Sequence, residues 1–405
     1  MAVGIAEGLA GASPAELLGR VFRANPEYEL VLFDRLSAGE RHRLEGFRRD
    51  PGFYGVLRPR GRQGMGVKAV DRETALLFLT LREPGLLPAY VREVLGEGTA
   101  RTMAQLLADG VLEVEHEGAF VSGPAALALL PSGPAGEPRG RLAHLSLAAL
   151  RHGEALALDD PLRLAWRLYA YNRLPLTPRW QRLLPSAEAV RDFLGVGPGG
   201  ANRPFLDRVW TPGAPMDGWL SWTARGRRTE PLKPGGTTYK LYVSPAPECL
   251  REGFGAVLEA LAAARARQFK VGDGAAGLLR PDKIVAYFPD FERLAEAADA
   301  VLARLAGIAG IAAQGVPFTS EIGGDGLLSW GVDPPADERS SLWDGRESWR
   351  LWLSHRLARA LIDARAAEMP DKAGVEPWRF ALERVRLDGV DTTTWTPGAL
   401  LWKGD

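Results

Sequence analysis

From about residue 237 the chain alternates between the two-residue period of β-strands and the longer period of amphipathic helices. These patterns predict, in order, strand 237–244, helix 247–266, strand 268–272, strand 283–288, helix 290–306, loop 314–338 and helix 344–368. A chain with both periods must pack helices against a sheet. The fold class predicted for residues 205–405 is therefore α+β.

Alternation within these strands separates charged side chains from apolar ones. In TTYKLYVSP, Lys240 and Tyr242 point to one face of the strand, and in QFKVGD, Lys270 points away from its apolar neighbours. RPDKIVAYF places Arg280 and Lys283 at the start of the third strand. If the three strands are neighbours, three lysines and an arginine come together.

Lysine is scarce, which makes its distribution informative. The chain has seven lysines, and four of them fall between residues 233 and 283. Close cations lower one another's pKa, which suits a lysine to act as a base near neutral pH, and together they suit a phosphate dianion. The alternative is an accidental grouping.

The last long helix carries two further arginines. DGRESWRLW opens with Asp344 and Glu347 at capping-box spacing, and Arg346 and Arg350 lie within the apolar arc of the helix. An arginine on a buried face needs an anionic partner or water. Arg350 and Arg346 therefore either join the same anion site or extend to solvent or to a local carboxylate.

Other residues are interpreted as structural. Asp282 and Asp333 are assigned to turns or strand ends, and Trp166 and Tyr169 to packing. The single cysteine, Cys249, and the lack of a His/Cys/carboxylate cluster predict neither a metal site nor a cofactor.

The N-terminal part has a different organisation. Residues 14–50 are interpreted as helices with polar breaks, in SPAELLGRVFRA and then in SAGERHRLEGFRR. Two short strands, three helices and a hairpin around Glu117–Gly118 follow, which is the order of a winged helix. Its third helix carries only Arg101 as a cation, and its hairpin is acidic, so DNA binding and a role as transcription regulator are disfavoured. Gly/Pro-rich segments predict a winged-helix domain, a helical linker and the α+β domain, with bounds 1–130, 131–204 and 205–405.

Residues 52–123 resemble the leader-peptide recognition element of enzymes that modify ribosomally made peptides. In that family a peptide adds as a strand to the edge of the sheet beside the third helix. The alternative is a winged helix that serves only as a packing or dimer module.

The order YKLYV, FKVGD, RPDKIVAYF and an arginine-bearing helix resembles two related families over residues 237–362. One is the bacterial effector phosphothreonine lyases. The other is the HopA-type effector family, with the lyases of class V lanthipeptide pathways, and the order of segments resembles this one more closely.

Both families eliminate phosphate from phosphorylated residues without a metal or organic cofactor. The resemblance implies that Lys240 removes the α-proton and that Lys270 binds phosphate or the substrate carbonyl. It also implies that Arg280, Lys283 and Arg350 hold the phosphate. Tyr242 stands where the phosphothreonine lyases have a histidine as general acid.

The sequence thus predicts a phosphopeptide lyase that forms dehydroalanine or dehydrobutyrine in a precursor peptide phosphorylated by a separate kinase. Balanced charge, with 50 basic and 50 acidic residues, predicts no nucleic-acid partner. No apolar run and no signal peptide are evident, which predicts a cytoplasmic protein without a membrane partner. The alternative is an inactive lyase-like protein that binds a phosphorylated or acidic partner.

Overall fold

The structure is a computed structural model that describes residues 13–45, 52–61, 66–131, 136–214, 216–226, 238–335, 347–367, 376–398 and 401. Arg346 and Asp344 lie outside the described residues. The chain is 47% helical and 21% strand, which confirms the mixed α+β class. None of the helices described is long and apolar enough to cross a membrane.

The N-terminal elements begin with a short helix and two strands. They are α1 (Pro14–Leu18), β1 (Val21–Ala24), β2 (Tyr28–Leu32), α2 (Ala38–Leu44), β3 (Phe53–Pro59), β4 (Lys68–Asp71), α3 (Arg72–Thr80), β5 (Gly85–Leu86), α4 (Ala89–Leu95), α5 (Thr99–Ala108), β6 (Leu112–His116) and β7 (Ala119–Val121). The helices α1 and α2 lie in the two segments where helices were expected. The end of the first segment, Val21–Ala24, is a strand instead, because it is too short for periodicity to distinguish strand from helix.

The middle of the chain is helical, as the sequence predicts, and leads into strands and helices that alternate. The elements are α6 (Arg141–Ala155), α7 (Pro161–Tyr169), α8 (Pro178–Leu183), α9 (Ala187–Phe193), α10 (Arg203–Val209), β8 (Trp210–Pro212), β9 (Trp219–Ala224), β10 (Thr238–Val243), α11 (Leu250–Ala263), β11 (Gln268–Gly272), α12 (Ala275–Leu278), β12 (Ile284–Phe288), α13 (Phe291–Leu305), β13 (Ser320–Ile322), β14 (Leu328–Asp333), α14 (Trp349–Ala366), α15 (Pro377–Leu387), β15 (Val390–Asp391) and β16 (Thr396–Pro397).

The chain forms two compact units that are not consecutive in sequence. Unit 1 comprises 1–136, 156–162 and 355–390, and unit 2 comprises 137–155, 163–354 and 391–405. The three consecutive domains expected from the sequence stay a prediction. Each of the two units combines segments from more than one of those expected domains.

Unit 1 contains two antiparallel sheets, with strand orders β5-β1-β6-β7 and β2-β3-β4. The side chain of Asp71 accepts a hydrogen bond from the backbone N of Thr74 and so caps α3, as its position predicts. Glu117 and Gly118 both have positive φ at the tip of the β6–β7 hairpin. The three helices and hairpin are present in the expected order, while a winged-helix identity stays a prediction.

Unit 2 is built on a seven-stranded antiparallel sheet of order β13-β14-β10-β12-β11-β9-β8. β12 therefore lies between β10 and β11, so the expectation that these three strands are neighbours is confirmed. On one face of the sheet, Leu241, Val243, Phe269 and Val271 are buried in a core with α11 and α13. The strand period then directs Lys240, Tyr242 and Lys270 to the opposite face.

Candidate active site

Two lysines flank one tyrosine on the sheet face opposite α11 and α13. Lys240 on β10 is paired with Tyr287 on β12, and Lys270 on β11 is paired with Val285, two residues earlier on β12. The Nζ atoms of Lys240 and Lys270 lie 5.4 and 5.8 Å from the centroid of the Tyr287 ring. The antiparallel register thus places the two ammonium groups diagonally across one strand.

Lys240 forms an ion pair with Asp333. Its Nζ atom lies 2.6 Å from Oδ2 of Asp333, and both side chains are nearly buried. The other carboxylate oxygen of Asp333 accepts a hydrogen bond from the backbone N of Trp349 at 3.1 Å. Asp333 thereby joins Lys240 to the start of α14. A Cβ atom on Gly331 would come within 2.3 Å of the Trp349 ring, so this packing requires glycine there.

Lys270 has aromatic and sulfur neighbours in place of a carboxylate. Its Nζ atom lies 4.1 Å from the centroid of the Trp219 ring and 3.9 Å from the Sδ atom of Met216. Within the described ranges it forms no ion pair. Burial, and next the positive charge of Lys240, lower the pKa of Lys270 to about 8.

Asp282 connects two arginines. Arg280 donates two hydrogen bonds of 2.8 Å to its carboxylate, from Nε and Nη2. Nη1 of Arg350 lies 3.0 Å from Oδ2, an ion pair without an aligned N–H, and the Tyr169 hydroxyl donates to Oδ2 at 3.1 Å. Burial opposes the charge of Asp282, but Arg280 and Arg350 outweigh it and hold the pKa of Asp282 far below its usual value.

Arg350 is held from three sides. It is only 1% exposed, and besides its ion pair with Asp282 it donates from Nε to the Pro317 carbonyl at 3.1 Å and from Nη2 to the Tyr169 carbonyl at 2.7 Å. Its guanidinium carbon also lies 4.5 Å from the centroid of the Tyr169 ring. Arg350 thus shares the carboxylate of Asp282 with Arg280, and its role as an anion ligand stays a prediction.

Lys283 lies apart from this group of charges, although the sequence suggested it as a phosphate ligand. Its fully buried ammonium donates to the carbonyl of Pro245 at 2.8 Å and to the side-chain oxygen of Gln314 at 2.5 Å. Burial lowers the pKa of Lys283 to about 7, and the charge of Asp282 only partly offsets it. Because the Lys283 ammonium is buried and donates to two protein oxygens, we interpret Lys283 as a structural residue.

Tyr242 is on the expected face but is 3% exposed, packed with Val285 and Val316. Burial, and next the negative charge of Asp333, raise the pKa of Tyr242 well above its usual value. Its hydroxyl has no hydrogen-bond partner among the residues that the structure describes. The phenol is thus held protonated close to Asp333.

Four cations come together on this face: Lys240, Lys270, Arg280 and Arg350, here called the cation cluster. Five neighbours of the cluster were not assigned to a site from the sequence: Tyr169, Asp282, Asp333, Trp219 and Tyr287. Asp282 was within reach of sequence reasoning because it is two residues from Arg280. Tyr169 was not, because 113 residues separate it from Asp282. Among the residues described, no group of three or more His, Cys, Asp or Glu side chains is placed to hold a metal ion.

Comparisons with solved structures find distant likenesses. An effector protein from Pseudomonas syringae pv. syringae is 13% identical, with a TM-score of 0.37, over 64% of this chain and 100% of that one. The phosphothreonine lyase OspF from Shigella flexneri is 12% identical, with a TM-score of 0.25, over 30% of this chain and 67% of that one. The phosphothreonine lyase VirA from Chromobacterium violaceum is 13% identical, with a TM-score of 0.24, over 37% and 77%.

No protein-family model matches the chain, and no curated protein matches it. Any assignment of chemistry therefore depends on the side chains of the cation cluster and their partners.

Proposed function

We propose that this chain eliminates phosphate from a phosphorylated serine or threonine of a peptide, leaving dehydroalanine or dehydrobutyrine. The observation that carries this proposal is the contrast between the two lysines beside Tyr287. Lys240 is paired with Asp333, whereas Lys270 has no carboxylate partner in the described ranges and a pKa of about 8. One lysine is thus suited to carry a fixed charge and the other to accept a proton.

This proposal exchanges the roles that the sequence suggested for the two lysines. The neutral amine of Lys270 takes the α-proton of the phosphorylated residue and becomes an ammonium group. Lys240, with its ammonium held by Asp333, stabilises the negative charge that develops on the substrate carbonyl oxygen. Lys240 would have to be neutral to remove a proton, and a neutral Lys240 would lose its 2.6 Å ion pair with Asp333, so this role is disfavoured.

The electron pair released from the Cα–H bond forms the Cα=Cβ double bond, and the Cβ–O bond to phosphate breaks. Arg280 binds the departing phosphate, which carries the electrons of the broken bond, and the buried Arg350 contributes its positive charge without touching the phosphate. The Tyr242 phenol is held protonated, but its burial keeps it from direct contact with a peptide. Phosphate is a good leaving group when cations bind it, so departure requires little help from a proton donor.

Peptide recognition is assigned to unit 1 as a further part of the proposal. β4 is at the end of the three-stranded order β2-β3-β4 and continues directly into α3. A precursor peptide would pair along Lys68–Asp71 as an added strand. Hydrogen exchange of the Lys68–Asp71 amides should then slow when the peptide binds. A separate kinase would supply the phosphate.

The test is to incubate the purified protein with a library of phosphoserine and phosphothreonine peptides in EDTA and to analyse the products by mass spectrometry. Loss of phosphoric acid, with the dehydro residue trapped by an added thiol, would support the proposal. Replacement of phosphate by hydroxyl would indicate hydrolysis and contradict it. Binding of phosphopeptides without any reaction would favour the alternative, an inactive lyase-like protein that recognises a phosphorylated partner.

A further inference from the structure

Arg173 is an exposed arginine beside the cation cluster that the mechanism above does not use. It lies in the turn between α7 and α8, four residues after Tyr169. The backbone N of the next residue, Leu174, donates to the carbonyl of Leu279 at 3.0 Å. Because Leu279 precedes Arg280, this bond places Arg173 alongside the start of the Arg280–Asp282 segment.

The turn that carries Arg173 is held in place by buried polar contacts. Asn172 has a φ of 65° and donates from its side chain to the carbonyls of Gln314 and Gly315, both at 2.9 Å. Gln314 in turn donates to the Asn172 carbonyl at 2.6 Å and accepts from Lys283. These bonds hold the backbone next to Arg173, while the side chain of Arg173 is exposed.

Arg173 differs from the cluster arginines in its partners. Within the described ranges its guanidinium forms no ion pair, whereas Arg280 and Arg350 share Asp282 and Lys240 has Asp333. Partial burial, and next the charge of Arg280, lower the pKa of Arg173 from its usual value. The charge of Asp282 acts in the opposite direction, and the Leu174–Leu279 hydrogen bond places Arg173 beside the segment that carries Arg280 and Asp282.

The charges of the cluster leave a place for one more cation. With Lys270 neutral, as a base must be, Lys240, Arg280 and Arg350 oppose the carboxylates of Asp282 and Asp333, which leaves one net positive charge. A phosphate monoester close to neutral pH carries up to two negative charges. One further positive charge is needed for balance, and in the part of the chain that the structure describes Arg173 is a nearby arginine without an ion pair.

We propose that Arg173 is a phosphate-binding residue, which turns from solvent onto the substrate phosphate that Arg280 contacts from the protein side. This inference rests on the proposed function for the location of the phosphate. Arg280 and Arg350 keep their contacts with Asp282, which hold both guanidinium groups in place. Arg173, whose guanidinium has no ion pair in the described ranges, supplies a bidentate contact to phosphate oxygens that those arginines do not reach.

The experiment measures binding separately from chemistry. The double variant Lys270→Met/Arg173→Gln is compared with the single variant Lys270→Met, because Lys270→Met blocks turnover. Binding is measured by fluorescence anisotropy with a labelled phosphothreonine peptide and with the same peptide unphosphorylated. Arg182→Gln is the matched control, because Arg182 is another exposed arginine, on α8. Arg173→Lys keeps the charge but loses the bidentate geometry.

We expect Arg173→Gln to weaken phosphopeptide binding about tenfold, the size of one charge-assisted hydrogen bond. Arg173→Lys should recover part of this loss, and Arg182→Gln should bind as wild type does. Equal weakening of both peptides, or no weakening, would overturn the proposal. The wild-type protein, which retains Lys270, is also tested for elimination. If it eliminates no phosphate but Arg173→Gln still weakens binding of the phosphopeptide, the lyase function fails and the phosphate contact stands.

Discussion

The ammonium group of Lys240 lies 2.6 Å from a carboxylate oxygen of Asp333, whose second oxygen accepts the backbone N–H of Trp349. This contact fixes Lys240 as a charged group and ties β10 to the first turn of α14. Arg350 is the residue after Trp349, so the same carboxylate that orients one cation also sets the start of the helix that supplies another. Lys270, on the far side of Tyr287, has no such tie among the described residues and is the lysine free to change its protonation state.

Lys270→Met should lower the rate of elimination by about a hundredfold to ten-thousandfold, the usual contribution of a general base. Because only the neutral amine accepts the proton, the pKa of about 8 predicts that kcat/KM of wild type rises about fivefold from pH 7 to pH 8 and levels off above about pH 9. Rates of phosphate release between pH 7 and 9.5 check both points. Arg182→Met, on α8, is the control with an unchanged rate. Loss of the pH slope in Lys240→Met, but not in Lys270→Met, would reassign the base.

Asp333→Asn should reduce the free energy of unfolding by about 3 kcal/mol, because it leaves the nearly buried ammonium of Lys240 without its partner. The matched control is Asp207→Asn, which breaks the exposed Arg203–Asp207 ion pair and should cost less than about 1 kcal/mol. Urea unfolding at pH 7 measures both. A double-mutant cycle with Lys240→Met isolates the pair, and additive effects would contradict a direct coupling.

Asp282→Asn should remove part of the acid sensitivity of the protein. The pKa of Asp282 in the folded chain is far below the value of about 3.9 expected when unfolded. Its stabilising effect is therefore present above pH 4 and is lost as the pH falls below that value. Urea unfolding at pH 7 and pH 3 should show a smaller loss in the variant than in wild type. Glu259→Gln, in an exposed pair with Arg304, should retain the full loss, and equal losses in both variants would argue against this role.

Lys283→Met should flatten the pH dependence of stability above neutrality. A lysine with a folded pKa of about 7 and an unfolded pKa of about 10.4 binds fewer protons in the folded chain, so stability rises with pH between these values. One such group contributes up to about 1.4 kcal/mol per pH unit. Unfolding free energies of wild type and variant from pH 7 to 10 measure the slope. Lys68→Met should keep the wild-type slope, and identical slopes in wild type and Lys283→Met would exclude titration of Lys283.

Several features of the site follow from local sequence patterns. Alternation in β10 and β11 places Leu241 and Phe269 in the core and Lys240 and Lys270 on the opposite face, and this was predictable because the strand period depends only on adjacent residues. The cap of α3 by Asp71 is equally local. The four residues Val21–Ala24 fit both the strand period and the helix period, so the pattern does not distinguish the two, and this strand was predicted as a helix.

The partners of the cations depended on the tertiary structure. The segment 314–338 was expected to be a loop, but β14 runs through it, and only the pairing of Thr238 with Asp333 brings that carboxylate to Lys240. Lys283 and Arg280 are three residues apart, yet one is buried against Pro245 and Gln314 and the other reaches Asp282 and Tyr169. Sequence by itself determined which residues are cations and which face of a strand they occupy. Which carboxylate neutralises each cation, and which lysine is left to act as a base, is set by contacts between residues distant in sequence, and no local period encodes those.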